Sequence, residues 1–272
     1  MVPQATPPDV PVQATPLREV ARGVVWLVGT AAAVRFVETL IGRSPLGAAI
    51  AGAVIVDLAM TRAGVRWDNR EQRQSTRSRI GCDIAVGAVV ACVLVAVPLL
   101  LCLVAGSASV AMGSISSVLV FGLLRGAAVA VRDEILYRGL PLLVAKRAGI
   151  RQFWAIGYAG VLGTAPLLLA DRFCPEALVA VTLQGALSAM LWAQTNAAWA
   201  SISAHAVWFY LAGAGLRGSV LDVAWTSGRL AENSGICGIP AMSTIAVSIW
   251  LLVLISKKRL KFSEEPYGQA AS

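Results

Sequence analysis

The chain has one histidine, His205, among 272 residues. A metal centre built from several imidazoles is excluded by that alone. Charge is also scarce: Asp, Glu, Lys and Arg make up 14% of the residues against 57% apolar ones, and mean hydropathy is +0.71. Soluble domains carry about a quarter charged residues, so a water-soluble globular fold is excluded. The ten-residue alternation of a transmembrane β-barrel is missing, as are the basic start and apolar stretch of a secretory signal. The first spanning helix is therefore expected to remain in the mature protein. No repeat relates the two halves of the chain, which argues against a small transporter using Asp57, Glu134 and His205, the third functional class that the intramembrane charges raise.

What is present is a series of apolar blocks about 17 to 25 residues long, enough for a helix to cross roughly 30 Å of hydrocarbon. Eight spans are expected, near residues 22–42, 46–61, 84–106, 110–131, 153–170, 177–193, 197–215 and 239–256. The fold class is all-α, a polytopic membrane helical bundle over residues 21–256. Five prolines with Gln and Thr mark residues 1–20 as a disordered arm, and 257–272 form a basic tail. Arg35 and Glu38 interrupt the first span and Asp57 lies near the end of the short second one; a contact of Arg35 with Asp57 or Glu38 would neutralise them.

Lysine and arginine orient the chain. Arg62, Arg66, Arg70, Arg73, Arg77 and Arg79 follow the second span, Arg132, Arg138, Lys146, Arg147 and Arg151 follow the fourth, and Lys257, Lys258, Arg259 and Lys261 follow the eighth. The alternate loops hold Arg172, Arg217 and Arg229. The positive-inside rule then places the basic loops and both termini in the cytosol, with a bacterial plasma membrane as the expected location. The net charge of +8 reflects this topology together with attraction to anionic lipid; nucleic-acid binding would need a folded basic domain, for which there is no room.

Cys82, Cys92 and Cys102 fall at or within the third span as small packing residues. Cys174 and Cys237 bound the sixth and eighth spans on the outer side, where an oxidising exterior permits a bridge; two unrelated interfacial thiols are the alternative.

Polar residues inside spans are costly, and here they gather in two places. Asp133, Glu134 and Arg138 close the fourth span within Asp133-Glu134-Ile135-Leu136-Tyr137-Arg138-Gly139, and Gln184, Gln194, Asn196 and His205 belong to the sixth and seventh. Glu134 and Arg138 are one helical turn apart, acid first, so the arginine can hold that carboxylate while Asp133 points about 100° away. A seventh helix starting near Ala197 would set His205 roughly 12 Å deep, and the carboxylates and the imidazole are then expected to meet in a pocket open to the cytosol. Taken singly, the acidic pair also reads as a juxtamembrane charge belt and the histidine as a hydrogen-bonded packing residue.

The heptapeptide resembles the first motif of the CPBP intramembrane proteases, the CAAX prenyl endopeptidase and Abi (bacteriocin-processing) family, whose pattern is Glu-Glu-x-x-x-Arg. Gly185 to His205, with Gln194-Thr195-Asn196 and Ala204-His205-Ala206, is similar to the segment that carries the family's last histidine, and the resemblance extends over about residues 110–215. Three departures stand beside it. Asp133 replaces the first glutamate. The second motif, Phe-x-x-x-His, falls on Leu162-Gly163-Thr164-Ala165-Pro166, which has no histidine. The third, His-x-x-x-Asn, keeps His205 but has Phe209 in place of the amide.

The resemblance implies an endopeptidase cutting a peptide bond near the cytosolic face, with Glu134 or Asp133 as general base, His205 as oxyanion donor or ligand, and Arg138 organising the carboxylates. Its partners would be membrane lipid and a peptide or membrane-anchored protein substrate. A divalent metal such as zinc has only Asp133, Glu134 and His205 as candidate ligands, an unusually acidic set. An oxyanion donor contributes about 3 kcal/mol, so the lost histidine and asparagine equally imply a catalytically impaired relative that binds a membrane-anchored peptide or partner helix in the same place.

Overall fold

The computed structural model describes residues 15–70, 76–115, 117–168, 174–226, 229–230 and 236–259. Residues 1–14 of the arm, Arg73, Arg172 and the tail beyond Arg259 lie outside them. Ten helices run along the described chain: α1 (Pro16–Ile41), α2 (Pro45–Ala63), α3 (Arg77–Val104), α4 (Val118–Glu134), α5 (Leu140–Arg147), α6 (Gln152–Leu162), α7 (Ala165–Leu168), α8 (Pro175–Thr195), α9 (Trp199–Tyr210) and α10 (Ile239–Arg259). Two-residue to five-residue strands β1 (Ala108–Met112), β2 (Leu221–Trp225), β3 (Arg229–Leu230) and β4 (Ile236–Cys237) form two small antiparallel ribbons, β1 with β2 and β3 with β4. Among the described residues α1, α2, α3, α8 and α10 are long and apolar enough to cross a membrane unaided. The molecule is an all-α membrane bundle, as its apolar blocks require.

Three of the eight expected spans take a different form. The fourth starts at Val118, because residues 108–112 pair with β2 in register Ala108↔Trp225 to Met112↔Leu221 before a Gly-Ser-rich turn admits the helix. It then continues through a π turn at Ile135–Gly139 into α5. The fifth is broken at Gly163-Thr164, where α6 stops and the short α7 begins. The seventh ends in a second π turn, Leu211–Gly215. At the N-terminus α1 begins at Pro16, inside the stretch whose composition suggested an arm, with proline at the first turn where its missing N–H costs nothing.

In hydrocarbon the driving force for helix association is close packing and internal hydrogen bonding, and small residues permit both. Helix α9 lies between α3 and α4. It reaches α3 at Gly87, where a Cβ would overlap the Ala200 carbonyl. On the same seam Ser203 Oγ donates to the Ile84 carbonyl at 2.8 Å.

The basic loops share one end. Gly64, in a left-handed conformation (φ 94°), ends α2 by donating to the Met60 and Thr61 carbonyls. The chain then runs beside the α8–α9 turn, with Asn69 N–H on the Asn196 carbonyl at 2.8 Å and Arg147 Nη1 on the Ala63 carbonyl at 3.1 Å. Arg70 is clamped between Asp68 and Asp83, at 2.8 and 2.9 Å. At the opposite end Cys174 and Cys237 form a disulfide with Cα atoms 5.9 Å apart, so the bridge is present.

Candidate active site

Glu134 is the last residue of α4 and is completely buried, with 0% exposure. A buried carboxylate is tolerated only with partners, and it has three. Ser201 donates its hydroxyl to Oε2. His205 Nδ1 lies 2.8 Å from Oε1, and Arg138 Nη1 lies 3.5 Å from the same oxygen. Ser201 and His205 are one turn apart on α9, so both reach Glu134 from a single helix face.

Arg138 is buried too, held in a slot of small residues. A Cβ at Gly163 would stand 2.7 Å from Arg138 Nη2 and one at Gly185 3.2 Å from it, so glycines on both walls make room for the guanidinium. Its Nη1 also approaches the Asp133 carbonyl at 3.5 Å, and its Nε is buried without a hydrogen-bond partner among the described residues. The π turn sets this geometry: Leu140 N–H bonds to the Ile135 carbonyl, five residues back, leaving Gly139 against Trp192 and Val65.

The structure thus brings together Glu134, Arg138 and His205. Asp133 faces elsewhere: its Oδ1 accepts from Arg132 Nε at 2.7 Å, and Arg132 reaches on through Nη1 to Glu38 of α1. Glu38 also receives Arg35 Nη1 at 3.5 Å, which is the expected Arg35 contact, while Asp57 accepts instead from Trp67 Nε1 at 2.6 Å. Of the other polar residues in spans, Gln194 Nε2 donates to the Ile255 carbonyl at 3.1 Å and Asn196, at φ 51°, ends α8. Gln184 Nε2 is buried without a hydrogen-bond partner among the described residues.

Ser201 and Arg132 were missed from sequence. Ser201 is one small residue in an apolar helix, its only signal being a position four before His205; Arg132 reads as one more member of the basic belt.

Access is narrow. Of the cluster, the His205 side chain is the most exposed, at 17%, and a cavity of about 350 Å³ at the basic end is lined by Gly139 and Trp192 but not by the carboxylate or the imidazole. The donor set does not fit a metal. Among the described residues no three His, Cys, Asp or Glu side chains gather, and the oxygens of Glu134 are already occupied by Ser201, His205 and Arg138.

What the arrangement can do is hold an imidazole in one tautomer against a fixed carboxylate, the coupling that general-base catalysis uses. Residues 115–211 match the family model described as Rce1-like, type II CAAX prenyl endopeptidase. The chain is a membrane protein, and this stretch, which carries Glu134, Arg138 and His205, is similar to the type II CAAX prenyl endopeptidases among the CPBP intramembrane proteases. No curated protein and no solved structure matches it.

Proposed function

We propose that this chain hydrolyses a peptide bond of a membrane-anchored substrate near the cytosolic membrane face, with Glu134 and His205 working as a coupled base. The observation that carries the reading is the 2.8 Å contact between His205 Nδ1 and Glu134 Oε1. With Nδ1–H given to the carboxylate, Nε2 is the basic nitrogen. It takes a proton from water as the water oxygen attacks the carbonyl carbon, and returns that proton to the departing amine as the peptide bond breaks. Glu134 stabilises the imidazolium formed between these events; Ser201 and Arg138 keep the carboxylate in place. Asp133 acts at a distance, positioning Arg132. The arginine-rich loops set the site on the cytosolic side with both termini, in the plasma membrane.

The test is cleavage of a prenylated C-terminal peptide by the full chain in liposomes. Glu134→Gln, which keeps the shape and a hydrogen-bonding oxygen, is expected to lose about 10²- to 10⁴-fold in kcat, as is His205→Ala. Wild-type rates in either variant would sink the assignment.

A second reading, a non-catalytic relative that binds the membrane-anchored peptide, is favoured by the full burial of Glu134 and by Phe209 at the position of the family's amide. It predicts peptide binding with no hydrolysis, unchanged in Glu134→Gln.

A further inference from the structure

A second cavity, of about 590 Å³, opens at the other end of the bundle, between the α1–α2 turn, the first turns of α4 and the π turn that ends α9. Arg43, Arg125 and Arg217 line it, one from each of these regions, and no Asp or Glu is among the lining residues. This is the end where the topology leaves basic residues few, so three in one cavity run against the general bias. Like charges facing a shared, partly desolvated space repel, and an anion between them removes that cost.

Arg125 also has an aromatic neighbour in this cavity. Arg125 lies seven residues into α4, roughly 10 Å from its start. Its guanidinium carbon sits 5.4 Å from the centre of the Phe209 ring, a cation–π contact for a group whose paired N–H donors match phosphate oxygens. Phe209, the residue that displaced the family's asparagine, thereby belongs to this cavity.

The remaining wall is apolar and aromatic, with Phe121, Phe209 and Tyr210. Phe121 is 56% exposed and is followed on α4 by exposed Leu124, so the cavity is continuous with a lipid-facing surface. It sits at the level where α1 ends at Ile41 and α2 begins at Pro45, the depth of headgroups.

We propose that this cavity binds the phosphate of an anionic phospholipid on the membrane side opposite the basic loops, with Arg43, Arg125 and Arg217 on the phosphate and the aromatic wall along the glycerol and upper acyl chain. Site and partner are independent of whether Glu134 and His205 catalyse anything.

The full chain in neutral detergent is unfolded by heat in the presence of short-chain phosphatidylglycerol, short-chain phosphatidylcholine or inorganic phosphate. Phosphatidylglycerol is expected to raise Tm by several degrees more than phosphatidylcholine. Arg43→Ala with Arg217→Ala, both at exposed positions, is expected to abolish that difference, and the Arg→Lys pair to restore part of it. Equal shifts from the two lipids, or a full shift in the alanine pair, would overturn the proposal. Inorganic phosphate matching phosphatidylglycerol would assign the cavity to a free anion and overturn the lipid. If the alanine pair lacks the wild-type helical circular dichroism, Arg217→Ala alone carries the comparison, and its unchanged lipid response would count against the site.

Discussion

Ser201 Oγ donates to Glu134 Oε2 while His205, one turn further along α9, meets Oε1, so a single helix face holds both oxygens of one buried carboxylate. In the proposed reaction the serine would position the carboxylate. Ser201→Ala leaves a buried charge one donor short, and a hydrogen bond to a charged group contributes about 1.5–3 kcal/mol. The expected loss of stability is of that size, read by unfolding in detergent, together with lower kcat at little-changed KM. Retention of wild-type kcat in Ser201→Ala would remove the serine from the site.

The pair Arg132–Glu38 joins α4 to α1 across 94 residues of sequence. Both side chains are 18% exposed, so the cost of removing one partner should fall toward the lower end of the roughly 3–5 kcal/mol seen for buried pairs. Arg132→Ala is expected to destabilise more than Glu38→Gln, because it also strips Asp133 of its donor. A double-mutant cycle gives the coupling; a value near zero would mean the two helices are held by packing alone.

Phe209→Asn restores an amide four residues after His205. If a missing oxyanion donor limits hydrolysis, the variant gains rate, up to about a hundredfold for a donor worth close to 3 kcal/mol. Peptide cleavage measured against wild type decides this. No gain alongside unchanged peptide binding would favour the non-catalytic reading.

The Cys174–Cys237 bridge closes a loop spanning 63 residues of sequence. On the chain-entropy account such a loop contributes about 4 kcal/mol. Cys174→Ser is therefore expected to lower Tm clearly, and thiol labelling of unreduced wild-type protein should leave these two cysteines unmodified. Labelling of five thiols without reductant would show that the bridge is absent.

Apolar block length made most of the bundle legible, because hydrocarbon imposes a single requirement on every spanning segment. Where it misled, hydropathy was competing with local backbone signals: Gly113 and Ser114 postponed the fourth span, and Gly163 with Pro166 broke the fifth. At the site, Glu134, Arg138 and His205 were legible because charge at membrane depth is rare. The separation of Asp133 from Glu134 was anticipated from helical phase, but its pairing with Arg132 was not, since that arginine's own reach to Glu38 on another helix leaves no mark in local spacing. The π turn left none either: Ile135-Leu136-Tyr137-Arg138-Gly139 is as compatible with an unbroken α-helix.

That turn has a rotational consequence. Each residue added to a helix advances its phase by about 100°, so the extra residue lodged at 135–139 sets the azimuth of α5 independently of that of α4. Ahead of it Glu134 faces α9; beyond it Val144 lies on Gly23 of α1 and Arg147 reaches Ala63. Shortening the turn by one residue would swing α5 away from α1 and α2 while the carboxylate kept its bearing. The chain carries, in effect, a phase shifter between the face that presents the carboxylate and the face that anchors the helix, and the two can drift separately in sequence without either losing its aim.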